Sequence, residues 1–137
     1  MDVIESVQEM QERSEALRSA GHTVSLVPTM GFLHEGHLEL LRVAGRHSDR
    51  VVMSLFVNPT QFGPSEDYEQ YPRDTEGDLD KARREGVHAV FMPPVAEMYP
   101  DGYQTAVTVR DLTRHLCGRS RPGHFEGVTT VVAKLFN

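Results

Sequence analysis

Apolar positions along the chain recur with two different periods, and the alternation between them outlines the elements. Val3, Ile4, Val7, Met10 and Leu17 fall near helical spacing among Glu, Gln and Arg, with Gly21 placed as a stop, which predicts an amphipathic first helix. Thr23 to Pro28 reads as a buried strand. A glycine-rich turn follows, then a helix from about Gly36 that carries Leu38, Leu41 and Ala44 on one face. Val51 to Val57 is a second strand. Asp74 suits the N-cap of a charged helix through Arg84, ended by Gly86, and His88 to Met92 makes a third strand. Pro93 and Pro94 close it. Tyr99 to Gly102 is a turn signal before a β-rich stretch, Thr105 to Val109, and Val128, Val131, Val132 and Leu135 put a last helix over 128–137.

Strand, helix, strand, helix, strand implies a parallel sheet with right-handed crossovers, so the fold class is α/β. At 137 residues the chain is one domain that can bury a core without a disulfide or structural metal. A single cysteine, Cys117, allows no internal disulfide and fits a reducing compartment, so the expected location is cytoplasmic. No apolar run approaches the roughly 18 residues of a membrane span, and the acidic start with Asp2 and Glu5 is wrong for a signal peptide. A net charge of −6 with interspersed basic residues argues against nucleic-acid partners. A helix that runs to the final residue without a cap or polar tail predicts a truncated chain.

Four constellations carry candidate chemistry. In PTMGFLHEGH, Pro28 to His37, two glycines and two histidines three apart stand where a strand becomes a helix. A helix starting there aims unpaired backbone N–H groups and its positive dipole end at a nucleotide phosphate, and His34 and His37 would share one face as further donors. A surface pair or a metal pair is the competing reading, although HEGH is not the HExxH zinc motif. The loop with Phe56, Asn58, Pro59, Gln61 and Phe62 would also lie beyond the carboxyl ends of the strands, where open parallel sheets bind ligands. Its alternative is a plain Asn-Pro turn with two core phenylalanines. GRSRPGHFEG, Gly118 to Gly127, gathers Arg119, Arg121 and His124 in a glycine-rich loop that suits a carboxylate or phosphate, or is a solvated loop. The charge run YEQYPRDTEGDLDKARREG reads as a solvated helix.

VPTMGFLHEGH, SLFVNPTQFGPSEDYEQYPR, MYPDG and GRSRPGHFEGVTTVVAKLFN, in that order, resemble the pantothenate synthetase, or pantoate–beta-alanine ligase, family over essentially the whole chain. The resemblance implies a Rossmann-like parallel sheet of nucleotidyltransferase type, here incomplete. Residues 1–137 would be an N-terminal nucleotide-binding domain whose C-terminal partner domain is absent. It also implies the reaction: pantoate and ATP, with Mg2+, give a pantoyl adenylate and pyrophosphate, and beta-alanine then displaces AMP. Carried over by position, Met30, Gly31, Phe32, Leu33, His34, Glu35, Gly36 and His37 would contact ATP, with His37 as proton donor and His34 assisting. Gln61 would bind pantoate and beta-alanine, Asn58 and Phe62 would shape that pocket, and His124 is a further candidate there. The family implies a homodimer. Further ATP and pantoate contacts would follow Asn137, so the chain alone is expected to lack ligase activity. Another nucleotidyltransferase with a His-x-Gly-His turn, or a non-catalytic nucleotide-binding or dimerising piece, is the alternative.

Overall fold

The computed structural model describes residues 1–63, 66 and 68–137; Pro64, Ser65 and Asp67 of the NPTQFGPSED segment lie outside the described residues. Four strands form one parallel sheet: β1 (Asp2–Ile4), β2 (Val24–Thr29), β3 (Arg50–Leu55) and β4 (Ala89–Phe91), in the order β1-β4-β3-β2. Helix α1 (Val7–Ser19) joins β1 to β2, α2 (Glu35–His47) joins β2 to β3, and α3 (Thr75–Arg84) joins β3 to β4. A short helix α4 (Val95–Met98), another short helix α5 (Cys117–Ser120) and α6 (His124–Phe136) follow.

The order explains how the helices divide between the two faces. The path β2, β3, β4 crosses the sheet in one direction, whereas β1 to β2 crosses it in the other. Right-handed connections therefore send α2 and α3 to one face and α1 to the opposite face. Side chains alternate accordingly. Val51, Met53 and Val90 join Leu33, Leu41, Ala44 and Ala82 in one core, while Val52, Ala89 and Phe91 join Ile4, Met10, Met98 and Val131 in the other. With helices on both faces the strands read as near-continuous apolar runs, as parallel strands do. Each fully buried branched or thioether side chain here contributes on the order of 1.5–3 kcal/mol.

Three expectations change. Val3 and Ile4 belong to β1, not to the first helix: Asp2 N–H donates to the His88 carbonyl at 3.0 Å and Met92 N–H to that of Ile4 at 2.8 Å. A three-residue strand is too short to show period-2 alternation, and the helix begins only after Ser6, whose Oγ accepts from Glu9 N at 3.4 Å. Thr105 to Val109 forms no strand. At its centre the backbone of Val107 is tied to α6 instead, its N–H donating to Thr130 Oγ1 at 3.0 Å and Thr129 Oγ1 donating to its carbonyl. The last helix starts at His124, four residues before Val128, so four of the ten residues of GRSRPGHFEG lie in α6 and three more in α5; Gly123 at φ +84° makes the entry turn. Among the described residues no helix is long and apolar enough to cross a membrane.

Candidate functional site

Strand β2 ends at Thr29 and leads into the turn at Met30–His34. Gly31 (φ +85°) and Phe32 (φ +53°) are consecutive left-handed residues, a backbone path that costs a non-glycine residue of order 1–2 kcal/mol unless something holds it. What holds it is Asp78 on α3. Its carboxylate, 1% exposed, accepts the N–H of Phe32 on Oδ2 and that of Leu33 on Oδ1, both at 2.7 Å. Lys81, one turn further along α3, donates to the Leu33 carbonyl at 3.0 Å. Leu33 then buries into the core while Phe32 projects outward.

The two histidines cap α2 with each other. His34 is the N-cap, and its Nδ1 accepts Gly36 N–H at 3.1 Å; His37 Nδ1 accepts His34 N–H at 3.3 Å. This is a capping box built from imidazoles in place of the usual hydroxyl and carboxylate. The rings lie 4.1 Å apart between centroids. Gly36 is required by closeness: a Cβ there would stand 3.0 Å from His34 Cε1 and 3.1 Å from its Nδ1. Because an Nδ1 that accepts carries no proton, both neutral rings must be protonated at Nε2. His37 is half-buried, and that burial, followed by the charge of His34, lowers its pKa against an opposing pull from Asp78.

The expectation of unpaired N–H groups at this helix start is therefore corrected. The N–H groups of Phe32, Leu33, His34, Gly36 and His37 have protein acceptors, which among the described residues leaves the Glu35 N–H as the free amide of this helix start. An anion arriving here meets two imidazole Nε2–H groups, the Glu35 N–H and the helix dipole rather than a cradle of several free amides.

Beyond β3, Asn58 is the hub of the second constellation. It is 1% exposed and saturated: Nδ2 donates to Gln61 Oε1 at 3.0 Å and to the Gly127 carbonyl at 3.1 Å. Its Oδ1 accepts from Thr60 Oγ1 at 2.9 Å and from Tyr99 OH at 2.7 Å. Burial raises the Tyr99 pKa, which keeps the phenol a donor. Asn58 thus positions Gln61 rather than offering its own amide. The Gln61 carbonyl pairs with His124 Nδ1 at 2.9 Å, so the sequence-distant Gln61 and His124 meet. Arg121 pairs with Glu66, which also accepts Gly63 N–H at 2.8 Å, and so ties the α5–α6 segment to this loop. Phe62 packs edge-on against Tyr68 and Tyr71, with centroids 5.5 and 5.7 Å away.

A cleft of about 240 Å³ at the carboxyl end of the sheet is lined by Met30, Gly31, Phe56, Val57, Asp78 and Pro93. That is less than the roughly 300–1,000 Å³ of a complete small-molecule pocket. A larger hollow of about 720 Å³ under α1 and α6, bounded by Met10, Leu26, Val52, Phe91 and Leu135, contains none of the expected site residues. Among the described residues no group of three or more His, Cys, Asp or Glu side chains is arranged to hold a metal.

Asp78 and Tyr99 are the residues that the sequence did not single out. The signal for Asp78 was its register: it stands four residues before Ala82, on the buried side of an otherwise charged helix.

Fold and site together define a Rossmann-like α/β domain with a histidine-capped strand-to-helix turn beside a polar loop at the carboxyl end of its sheet. The family model for pantoate-beta-alanine ligase matches residues 2–137, and the chain belongs to that family. Similar curated proteins include the pantothenate synthetases of Syntrophus aciditrophicus, 58% identical over 137 residues, and Thermotoga petrophila, 57% identical. All of this chain is covered in both comparisons, against 48% and 49% of those proteins, so it spans about half the length of the curated relatives it matches. Among solved structures, pantothenate synthetase from Thermus thermophilus superposes with a TM-score of 0.88 at 50% identity, covering 99% of this chain and 48% of that one. The pantoate-beta-alanine ligase of Francisella tularensis, crystallised with beta-gamma ATP and beta-alanine, gives 0.92 at 36% identity, covering 99% and 52%.

Proposed function

We propose that this chain is the nucleotide-binding half of an AMP-forming ligase that joins pantoate to beta-alanine. The observation that carries the reading is the reciprocal imidazole cap, which leaves two Nε2–H donors at the carboxyl end of the sheet. Family membership and the Francisella tularensis complex support the choice of substrates.

The pantoate carboxylate oxygen bonds to the α-phosphorus of ATP as the bond to the bridging oxygen breaks, giving pantoyl adenylate and pyrophosphate. The amine of beta-alanine then attacks the activated carbonyl and expels AMP. Negative charge grows on the non-bridging and leaving oxygens in the first step, where His34 and His37 donate from Nε2. Neutral imidazoles suffice as donors, and the lowered pKa of His37 favours that state. Met30–His37 line the nucleotide, Gln61 holds pantoate and beta-alanine, Asn58 and Phe62 shape its surroundings, and His124 stands on the substrate side. No covalent enzyme intermediate is needed. Mg2+ would enter with the nucleotide phosphates and supply charge neutralisation there.

The domain assignment, a cytoplasmic location and a homodimer belong to the same proposal. Tyr103, Val107, Val109, Leu112 and Leu116 form an exposed apolar run consistent with a subunit contact. The test is pantoate-dependent ATP–pyrophosphate exchange. The full-length protein is expected to catalyse it and the 137-residue chain to lack it while binding ATP weakly; a full-length preference for a phosphorylated alcohol over pantoate would overturn the substrate assignment.

A further inference from the structure

Burying a carboxylate is costly, and α3 has exposed positions on every other side for its acidic residues. Asp78 is nevertheless 1% exposed, and its nearest cation, Lys81 Nζ, is 3.8 Å from Oδ1. The closer partners are the N–H groups of Phe32 and Leu33 at 2.7 Å each. Those two amides directly precede His34, in the left-handed stretch that sets the direction in which the chain enters α2. Gly31 lies so close that a Cβ on it would be 2.9 Å from Asp78 Oδ2.

From this geometry we propose, on the basis of the nucleotide reading above, that Asp78 is a positioning residue for the histidine pair. Its two oxygens fix the turn, the turn fixes the His34 N–H that holds His37 Nδ1 as an acceptor, and with Gly36 N–H held by His34 Nδ1 both rings present Nε2–H to the nucleotide. The same bonds occupy the amides of Phe32, Leu33 and His34, three that would otherwise compete for phosphate. An anionic ligand is thereby directed to the imidazoles. Lys81 is a second tether, through the Leu33 carbonyl.

The test is imidazole 15N spectroscopy of this chain together with calorimetric ATP binding. In the unaltered chain His34 and His37 should show unprotonated Nδ1 and protonated Nε2 near neutral pH. Asp78→Asn keeps the size of the side chain but turns one acceptor into an N–H donor facing an amide. It should mix the tautomers of both histidines and weaken ATP binding about tenfold. Ala82→Gly, one turn along the same buried face of α3, should lower stability while leaving tautomers and ATP affinity unchanged. An Asp78→Asn chain that is folded by circular dichroism and keeps the original imidazole spectrum overturns the proposal. Should that variant not fold, Lys81→Met is expected to shift the same signals by a smaller amount, and no shift there overturns it equally. If a full-length protein carrying this domain takes up no ATP while Asp78→Asn still mixes the tautomers, the positioning role stands and the nucleotide reading fails.

Discussion

His34 and His37 hold each other's place: the N–H of His34 donates to His37 Nδ1 at 3.3 Å, and the rings lie tilted by 43° with centroids 4.1 Å apart. Catalytic candidates and helix cap are therefore the same two side chains. A change to either ring alters both the helix start and the donor pair.

One consequence is a pH dependence of stability. Burial and the neighbouring His34 hold the His37 pKa below the ordinary histidine value of 6.5, so the unfolded chain takes up a proton before the folded one does. The stabilisation is fully present above about pH 6.5 and is lost as the pH falls toward the folded pKa. His88, whose pKa burial also lowers, adds to the same slope. Urea midpoints measured from about pH 7.5 down to about pH 5 should fall, and His37→Gln should flatten the curve.

In a full-length protein carrying this domain, His37→Gln should reduce pantoate-dependent ATP–pyrophosphate exchange by on the order of 10²–10³, the usual cost of losing one preorganised donor to a transition-state oxygen. The loss should appear mainly in kcat rather than in the KM for ATP. An unchanged kcat would remove His37 from the chemistry.

Asn58→Ala should be among the most destabilising single changes. It removes a donor or acceptor from Tyr99 OH, the Thr60 hydroxyl and the Gly127 carbonyl in a site that is 1% exposed, leaving the two hydroxyls only their 3.2 Å contact with each other. A cost of about 2–4 kcal/mol in denaturant unfolding is expected. Gln61 also loses its orienting donor, so pantoate affinity in the full-length protein should fall with stability.

What the sequence made legible follows from how local each signal was. The cap at Asp74, the helix from Thr75 to Arg84 and the parallel strands were readable because capping and apolar runs are properties of a few adjacent residues. The strand at Asp2–Ile4 was not, because Val3, Ile4, Val7 and Met10 fit a helical period equally well and only pairing with β4 decides between them. Thr105 to Val109 has strand-like alternation, but its central residue Val107 pairs with threonines on α6 rather than with a strand. At the site, the histidine pair was visible as a motif. The clamp from Asp78 spans 45 residues to Leu33 and was hidden in a run of charges. Asn58 was visible by type, but its partner Gly127 lies 69 residues away.

That long-range contact gives the last expectation. Gly127 sits within α6, where alanine is favoured over glycine by about 1 kcal/mol on helix propensity alone. Here the sign should reverse. A Cβ on Gly127 would stand 2.3 Å from the Thr60 carbonyl oxygen and 2.8 Å from Gln61 N, both backbone atoms that no rotamer change can move aside. Either α6 or the 58–61 turn must shift, which stretches the Asn58 bond to the Gly127 carbonyl and displaces the Gln61 carbonyl from His124. Overpacking of this kind costs about 1–3 kcal/mol. Gly127→Ala should therefore lower the urea midpoint, whereas Gly45→Ala on α2, whose nearest neighbour to an added Cβ is Val51 at 3.9 Å, should raise it. A Gly127→Ala chain as stable as the Gly45→Ala chain would mean that the 58–61 turn and α6 are not in the close apposition that places Gln61 beside His124.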